Sequence, residues 1–157
     1  MPWPNSTETT KAPIVSEKKI GAARLSHYLK ILMANHALIA PQSHSSFHAA
    51  YLHFDGTPEN LRPILHQHFN TIGKIKELIQ PGALKSISQD GKTSLLDEYA
   101  EMIEVETEKA LFSKAKEFWA QYVFVYEPAL KNWKVHQLAT LEEYERSGTK
   151  HPYEGLV

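Results

Sequence analysis

The stretch from Thr93 to Arg146 constrains the fold more than any other, because it holds about a third of the chain. Its apolar side chains recur at the three- and four-residue spacing of a helix. A helix from Leu95 to Tyr126 would be about 48 Å long at a rise of 1.5 Å per residue. Pro128 would bend or break it, since a proline inside a helix removes a hydrogen bond and clashes with the preceding turn. The pattern therefore predicts one long, proline-bent C-terminal helix.

The segment from Tyr122 to Tyr126, YVFVY, is the one part of this stretch with strong β propensity. Its residues are all β-branched or aromatic, which is typical of strands. No turn signal precedes it and it lies inside the helical pattern, so we assign it to the long helix. With that assignment, the chain contains no convincing pair of strands.

Three shorter helices are expected before this stretch, at residues 17–39, 43–54 and 57–80. The first follows Ser16, whose side chain suits an N-cap. The second has aromatic and alanine side chains on one helical face. The third begins at Thr57 with a proline in its first turn, and carries a regular apolar stripe to its end.

The expected fold is therefore all-α: an irregular helical bundle of four to five helices built on the long, proline-bent C-terminal helix. We divide the chain into an extended N-terminal arm (1–16), a single helical domain (17–148) and an extended C-terminal tail (149–157). Prolines in both arms favour extended backbone because they fix φ and remove a hydrogen-bond donor.

Charge and composition exclude several classes of function. The 17 basic and 18 acidic residues leave a formal charge of −1, so no nucleic-acid binding is expected. The chain has no cysteine, which excludes disulfides, thiolate metal sites and cysteine nucleophiles. No apolar run reaches the roughly 20 residues of a membrane span, and the N-terminus does not resemble a secretory signal. We expect an intracellular protein without a transmembrane segment, in the cytoplasm or an organelle interior such as the mitochondrion.

Histidine is abundant, with nine in the chain and seven of them in its first half. His44 and His48 are four residues apart, which on a helix would place two imidazoles on one face as a metal pair requires. Asp55, His27 or His36 could supply a third ligand, and zinc or another imidazole-bound metal would be the ion. The alternative is that these histidines are ordinary polar residues and the chain carries no cofactor.

The glutamates between residues 98 and 108 suggest a second metal chemistry, a carboxylate-bridged di-iron centre inside a bundle. That centre needs Glu-x-x-His twice, so that glutamate and histidine both point inward. No glutamate in this chain is followed three residues later by histidine. The sequence therefore excludes the ferritin-like arrangement.

Large aromatic residues surround the expected long helix on more sides than one core face needs. Phe124 lies off the main apolar row, and with Trp119 and Trp133 it offers anchors for a protein partner. Trp3 would serve the same purpose in the N-terminal arm. These four residues form the predicted partner interface.

Together these patterns predict a non-catalytic helical accessory or structural subunit, or an adaptor, that contacts other protein subunits in an oligomer or hetero-complex. No recognisable catalytic motif supports an enzyme. Two alternatives stay open. One is a histidine-ligated metalloprotein, possibly an enzyme, centred on His44 and His48; the other is a small helical regulator or inhibitor of a larger enzyme.

Overall fold

The structure is a computed structural model that describes residues 35–44 and 46–153. Over these residues the protein is a mixed α/β fold with a seven-stranded sheet and four short helices. The prediction of an all-α helical bundle is therefore wrong. The predicted arm at 1–16 and most of the predicted helix at 17–39 lie outside the described residues.

Strands and helices alternate in short elements along the chain. In order they are β1 (Ala37–Ser43), β2 (Ser46–Leu52), α1 (Pro58–His68), α2 (Ile72–Ile79), β3 (Ala83–Ile87), β4 (Thr93–Leu95), β5 (Ile103–Val105), α3 (Glu108–Glu117), β6 (Tyr122–Glu127), β7 (Asn132–Gln137) and α4 (Leu141–Ser147).

The sheet is mixed, with the strand order β4-β3-β2-β1-β6-β7, and β5 pairs separately with β2. β1 runs parallel to β6, and β2 runs parallel to β3, whereas the remaining pairs are antiparallel. β1 and β2 form a hairpin in which Ala37 lies opposite Leu52. This central hairpin positions the candidate site described below.

The central strands are buried on both faces, and their side chains alternate between two apolar clusters. Ile39 of β1 packs in the cluster that includes the buried residues of α1 and α2. Leu38, its neighbour, packs on the opposite face with Leu111 and Ala115 of α3. The fold thus has three layers, because a sheet with two apolar faces needs a cover on each.

Residues 93–146, predicted to be one long helix, instead form β4, β5, α3, β6, β7 and most of α4. Thr107 caps α3, and the left-handed backbone of Trp119, with φ of 59°, follows its end. The YVFVY segment is strand β6, which pairs with β1 on one side and β7 on the other. Pro128 lies in the turn between β6 and β7 rather than in a bent helix. The β propensity of YVFVY was informative, and the assignment of this segment to a helix was wrong.

The predicted helix at 43–54 is also wrong, because this segment is the turn and second strand of the central hairpin. Alternate side chains of β2 contact opposite faces of the sheet, so the run SFHAAYL is buried as a strand. The same applies to residues 37–39, which were assigned to the first helix and belong to β1.

The helical prediction for residues 57–80 is confirmed over most of its length. The Thr57 side chain accepts a hydrogen bond from the Asn60 amide and caps α1, and Pro58 occupies the first turn as expected. The helix is interrupted after His68, and Thr71 caps a second helix, α2. None of the helices in the described ranges is long and apolar enough to cross a bilayer.

Candidate functional site: a buried histidine cluster

His36 and His53 come together through the register of the central hairpin. Ala37 pairs with Leu52, so the residues just before β1 and just after β2 lie opposite each other. Their rings are stacked, with centroids 4.8 Å apart, and both residues are fully buried. The backbone oxygen of His36 accepts hydrogen bonds from Gln121 and Tyr122 where β6 begins. The strand pairing therefore holds this pair in place.

His151 reaches the same place from the C-terminal end of the described chain. It is only 3% exposed, and its ring centroid lies 4.9 Å from that of His36 and 5.9 Å from that of His53. One potential ligand atom from each of the three histidines lies within 4.8 Å of the other two. Among the described residues these histidines form a compact group of potential metal ligands.

Tyr51 links two of the three imidazoles. It projects from β2 on the same face as His53, two residues further on, and its side chain is fully buried. Its hydroxyl lies 2.7 Å from Nδ1 of His53 and 2.9 Å from Nε2 of His151. Burial, and secondarily the neighbouring Tyr153, raises the pKa of the Tyr51 phenol, so this hydroxyl keeps its proton at neutral pH.

Backbone groups determine which ring nitrogens carry protons. Nδ1 of His36 lies 2.6 Å from the carbonyl oxygen of His53, which can only accept, so His36 carries its proton on Nδ1. Nδ1 of His151 accepts from the amide of Tyr153 at 2.9 Å, so neutral His151 carries its proton on Nε2. That proton faces the Tyr51 hydroxyl, which in turn donates to Nδ1 of His53. The result is a directed chain from His151 through Tyr51 to His53.

The chemistry of this donor set suits a transition metal. Zinc–nitrogen bonds of 2.0–2.1 Å place tetrahedral ligands about 3.3 Å apart, so each ring would move by less than about 1 Å. His36 already donates from Nδ1 to a carbonyl, which leaves the lone pair on Nε2; metal-bound histidines commonly have this arrangement. His53 and His151 differ. The Nδ1 lone pair of His53 accepts from the Tyr51 hydroxyl, so a metal on His53 would displace that bond. Binding through Nε2 of His151 would require a proton on Nδ1, where the Tyr153 amide now donates.

The metal pair suggested by the sequence, His44 and His48, lies elsewhere. Both residues belong to the end of the hairpin opposite His36 and His53, with His44 in the turn and His48 on β2. They line a cleft of about 750 Å³ between the hairpin and α2. Nε2 of His48 lies 3.9 Å from a carboxylate oxygen of Glu104. The pair is not helical, and the histidine group found in the described residues does not include it.

The predicted partner-interface aromatics that the structure describes are all buried. Phe124 and Trp133 lie in the apolar cluster beneath α1 and α2, and the Trp133 indole donates to the Phe69 carbonyl. Trp119 is 9% exposed and packs in a T-shape on His151 at 5.6 Å. Their packing inside the fold accounts for all three, and their role at a partner interface stays a prediction. Trp3 lies outside the described residues.

Part of this site had a detectable signal in the sequence. Recognising residues 37–52 as a hairpin would have paired His36 with His53, because one step further along the same register brings them opposite each other. The contribution of His151 had no comparable signal, since 98 residues separate it from His53. Comparison of the chain with models of known protein families, with curated proteins and with solved structures found no significant match.

Proposed function

We propose that this protein binds one transition-metal ion through His36, His53 and His151. The observation that carries the proposal is the approach of three buried imidazoles, from three separate segments, to within 4.8 Å of one another. Hydrogen bonds within the fold already offset the cost of burying these three polar rings. A shared ion would add a direct link between the hairpin and the C-terminal segment.

The ligand set selects the class of ion. Imidazole nitrogens suit Zn²⁺, Cu²⁺, Ni²⁺ and Fe²⁺, whereas Mg²⁺ and Ca²⁺ take oxygen ligands. None of the three histidines is more than 3% exposed, so a bound ion would be shielded from solvent. Three histidine ligands leave the fourth tetrahedral position to another group. Because the ion would join the hairpin to the C-terminal segment, the proposed role is a metal that stabilises the fold. Zn²⁺ is the ion we would test first.

Equilibrium dialysis of the full chain against Zn²⁺ tests this proposal. We expect one ion per chain, and at a free concentration 100 times the Kd a stabilisation of about 2.7 kcal/mol against unfolding. His36→Gln and His53→Gln should each weaken binding at least about 10-fold. The double variant His44→Gln/His48→Gln is the matched control and should bind like wild type.

Two outcomes would overturn the proposal. The first is wild-type protein that takes up no stoichiometric Zn²⁺, Cu²⁺, Ni²⁺ or Fe²⁺. The second is binding that is lost in the His44/His48 double variant and kept when His36 or His53 is replaced, which would return the metal site to the pair predicted from sequence. Wild-type binding alone decides the first outcome, so it does not depend on whether a variant folds.

The role as an accessory subunit or adaptor stays a prediction. Large apolar side chains exposed in the described residues include Leu95, Tyr99 and Leu130. Leu95 belongs to β4 at one edge of the sheet, whereas Leu130 lies in the turn before β7 at the other edge. These side chains therefore do not form one continuous docking patch.

A further inference from the structure

The C-terminal segment at residues 148–153 is held to the fold by side chains rather than by a helix or strand. It leaves α4 through Gly148, whose φ of 81° is in the left-handed region that glycine adopts readily. Beyond that glycine the described segment belongs to no helix or strand. Side-chain contacts with the described residues therefore contribute to its position.

Three residues of the segment make those contacts. Thr149 accepts a hydrogen bond from the Trp119 indole at 3.2 Å, just after the end of α3. His151 enters the histidine cluster. Tyr153 stacks on Tyr51, with ring centroids 5.8 Å apart and planes 16° apart, and donates its hydroxyl to Asp97.

The three proposed metal ligands are unequal in how firmly they are held. His36 and His53 flank the paired strands of the central hairpin, so the sheet positions them whether or not a metal is bound. His151 is in place only when the segment is docked. A complete three-histidine site therefore exists in the docked state and is missing one ligand in the undocked state.

We propose that metal binding at this cluster locks segment 148–153 onto the sheet, an inference that rests on the proposed function. A ligand that binds one of two conformations more tightly shifts the equilibrium toward that conformation by its difference in affinity. Metal would thus shift the segment further toward the docked conformation, and loss of metal would raise the population of the undocked one. The metal site acts as a latch on the C-terminal end of the described chain.

Trypsin cleavage after Lys150 measures the docking of this segment directly. Lys150 is exposed and adjoins the buried His151, so cleavage there requires the segment to leave the cluster. The released peptide runs from His151 to the end of the chain and is identified by mass. When cleavage follows the open population, Zn²⁺ at 100 times its Kd should slow it by up to about 100-fold.

Cleavage after Lys92 in the same digest is the internal control. Lys92 is exposed in the turn between β3 and β4, where its ammonium lies 4.0 Å from the Asp90 carboxylate. Its rate should change little with Zn²⁺, and a small peptide substrate corrects for any effect of the ion on trypsin itself. His53→Gln should remove most of the protection at Lys150.

The possible outcomes distinguish the proposal that metal docks segment 148–153, here called the latch, from the proposal that the three histidines bind a metal. If dialysis finds stoichiometric Zn²⁺ and cleavage after Lys150 is unchanged, the latch is wrong and the metal-binding proposal stands. If no metal binds, both are wrong. If Lys92 and Lys150 are protected equally, the ion stabilises the whole fold, and the local latch is again rejected.

Discussion

The hydroxyl of Tyr51 lies 2.9 Å from Nε2 of His151, a residue 100 positions further along the chain. The same hydroxyl lies 2.7 Å from Nδ1 of His53. A phenol can accept one hydrogen bond and donate another, so it satisfies two buried imidazoles at once. This single oxygen connects the central hairpin to the C-terminal segment.

The hydrogen-bond pattern predicts the tautomer of each histidine in the metal-free protein. His36 should carry its proton on Nδ1, whereas His53 and His151 should carry theirs on Nε2. Long-range ¹⁵N–¹H spectra at neutral pH distinguish the two tautomers for each ring. A proton on Nδ1 of His151 would contradict the hydrogen bond from the Tyr153 amide, and with it the directed chain.

Replacing Tyr51 with phenylalanine tests how much the linking hydroxyl contributes to stability. The variant leaves polar atoms of His53 and His151 without their shared partner inside the fold. We expect a loss of about 1–3 kcal/mol in the free energy of unfolding, measured with urea. Tyr99→Phe is the matched control: Tyr99 is 85% exposed, so this change should stay within about 0.5 kcal/mol. Equal effects in both variants would mean that the hydroxyl contributes little.

The raised pKa of Tyr144 predicts that the protein loses stability at alkaline pH. Burial, and secondarily Glu143, raises the pKa of Tyr144 to about 12, and its hydroxyl donates to the Ala120 carbonyl. Since an unfolded tyrosine titrates near 10, the folded state holds more protons between about pH 10 and 12. The contribution of Tyr144 is therefore complete below pH 10 and is lost as pH rises through this range.

The variant Tyr144→Phe distinguishes the contribution of the Tyr144 hydrogen bond to stability from the contribution of its titration. At pH 7 it should cost about 1–2 kcal/mol, because a buried carbonyl loses its donor. Between pH 10 and 12 its unfolding free energy should fall less steeply than that of wild type. It should still fall, because Tyr51 and Tyr153 also have raised pKa values. A slope identical to that of wild type would contradict the assignment.

Lys131 offers a stabilising substitution. It lies in the turn between β6 and β7 with φ of 51°, a left-handed conformation that costs a residue other than glycine about 1–2 kcal/mol. Lys131→Gly should therefore raise the unfolding free energy by about 0.5–1 kcal/mol after the greater chain entropy of glycine is deducted. Chemical denaturation measures the change.

Lys134→Gly is the control for that substitution. Lys134 lies within β7, and its ammonium is 3.3 Å from the Glu127 carboxylate. Glycine in a strand loses side-chain packing and costs entropy, so this variant should be less stable than wild type. Destabilisation of both variants would show that the backbone of Lys131 is not strained.

Local signals in the sequence were reliable where neighbouring residues decide the structure. The apolar stripe at 57–80 and the cap at Thr57 predicted helix, and α1 and α2 occupy that region. A helix forms its backbone hydrogen bonds within one segment, so its evidence lies close together along the chain. The interruption between the two helices was not foreseen.

The strands were missed because their partners lie far away along the chain. β6 pairs with β1, which precedes it by about 80 residues, and neither segment alone specifies that pairing. A strand buried on both faces is also a continuous apolar run, which spacing alone does not distinguish from a buried helix segment. The β-branched and aromatic composition of YVFVY was therefore the better guide than the apparent helical period.

Sequence patterns alone established that thiolate chemistry is absent, that the chain has almost no net charge, and that residues 57–80 are mostly helical. Only the tertiary structure brought His36 and His53 opposite each other and placed His151 beside them. The physical reason is that strand register and segment docking depend on contacts between distant residues, which one-dimensional spacing does not record. The spacing of His44 and His48 suggested a metal pair, whereas the fold assembled its close histidine group from three separate segments.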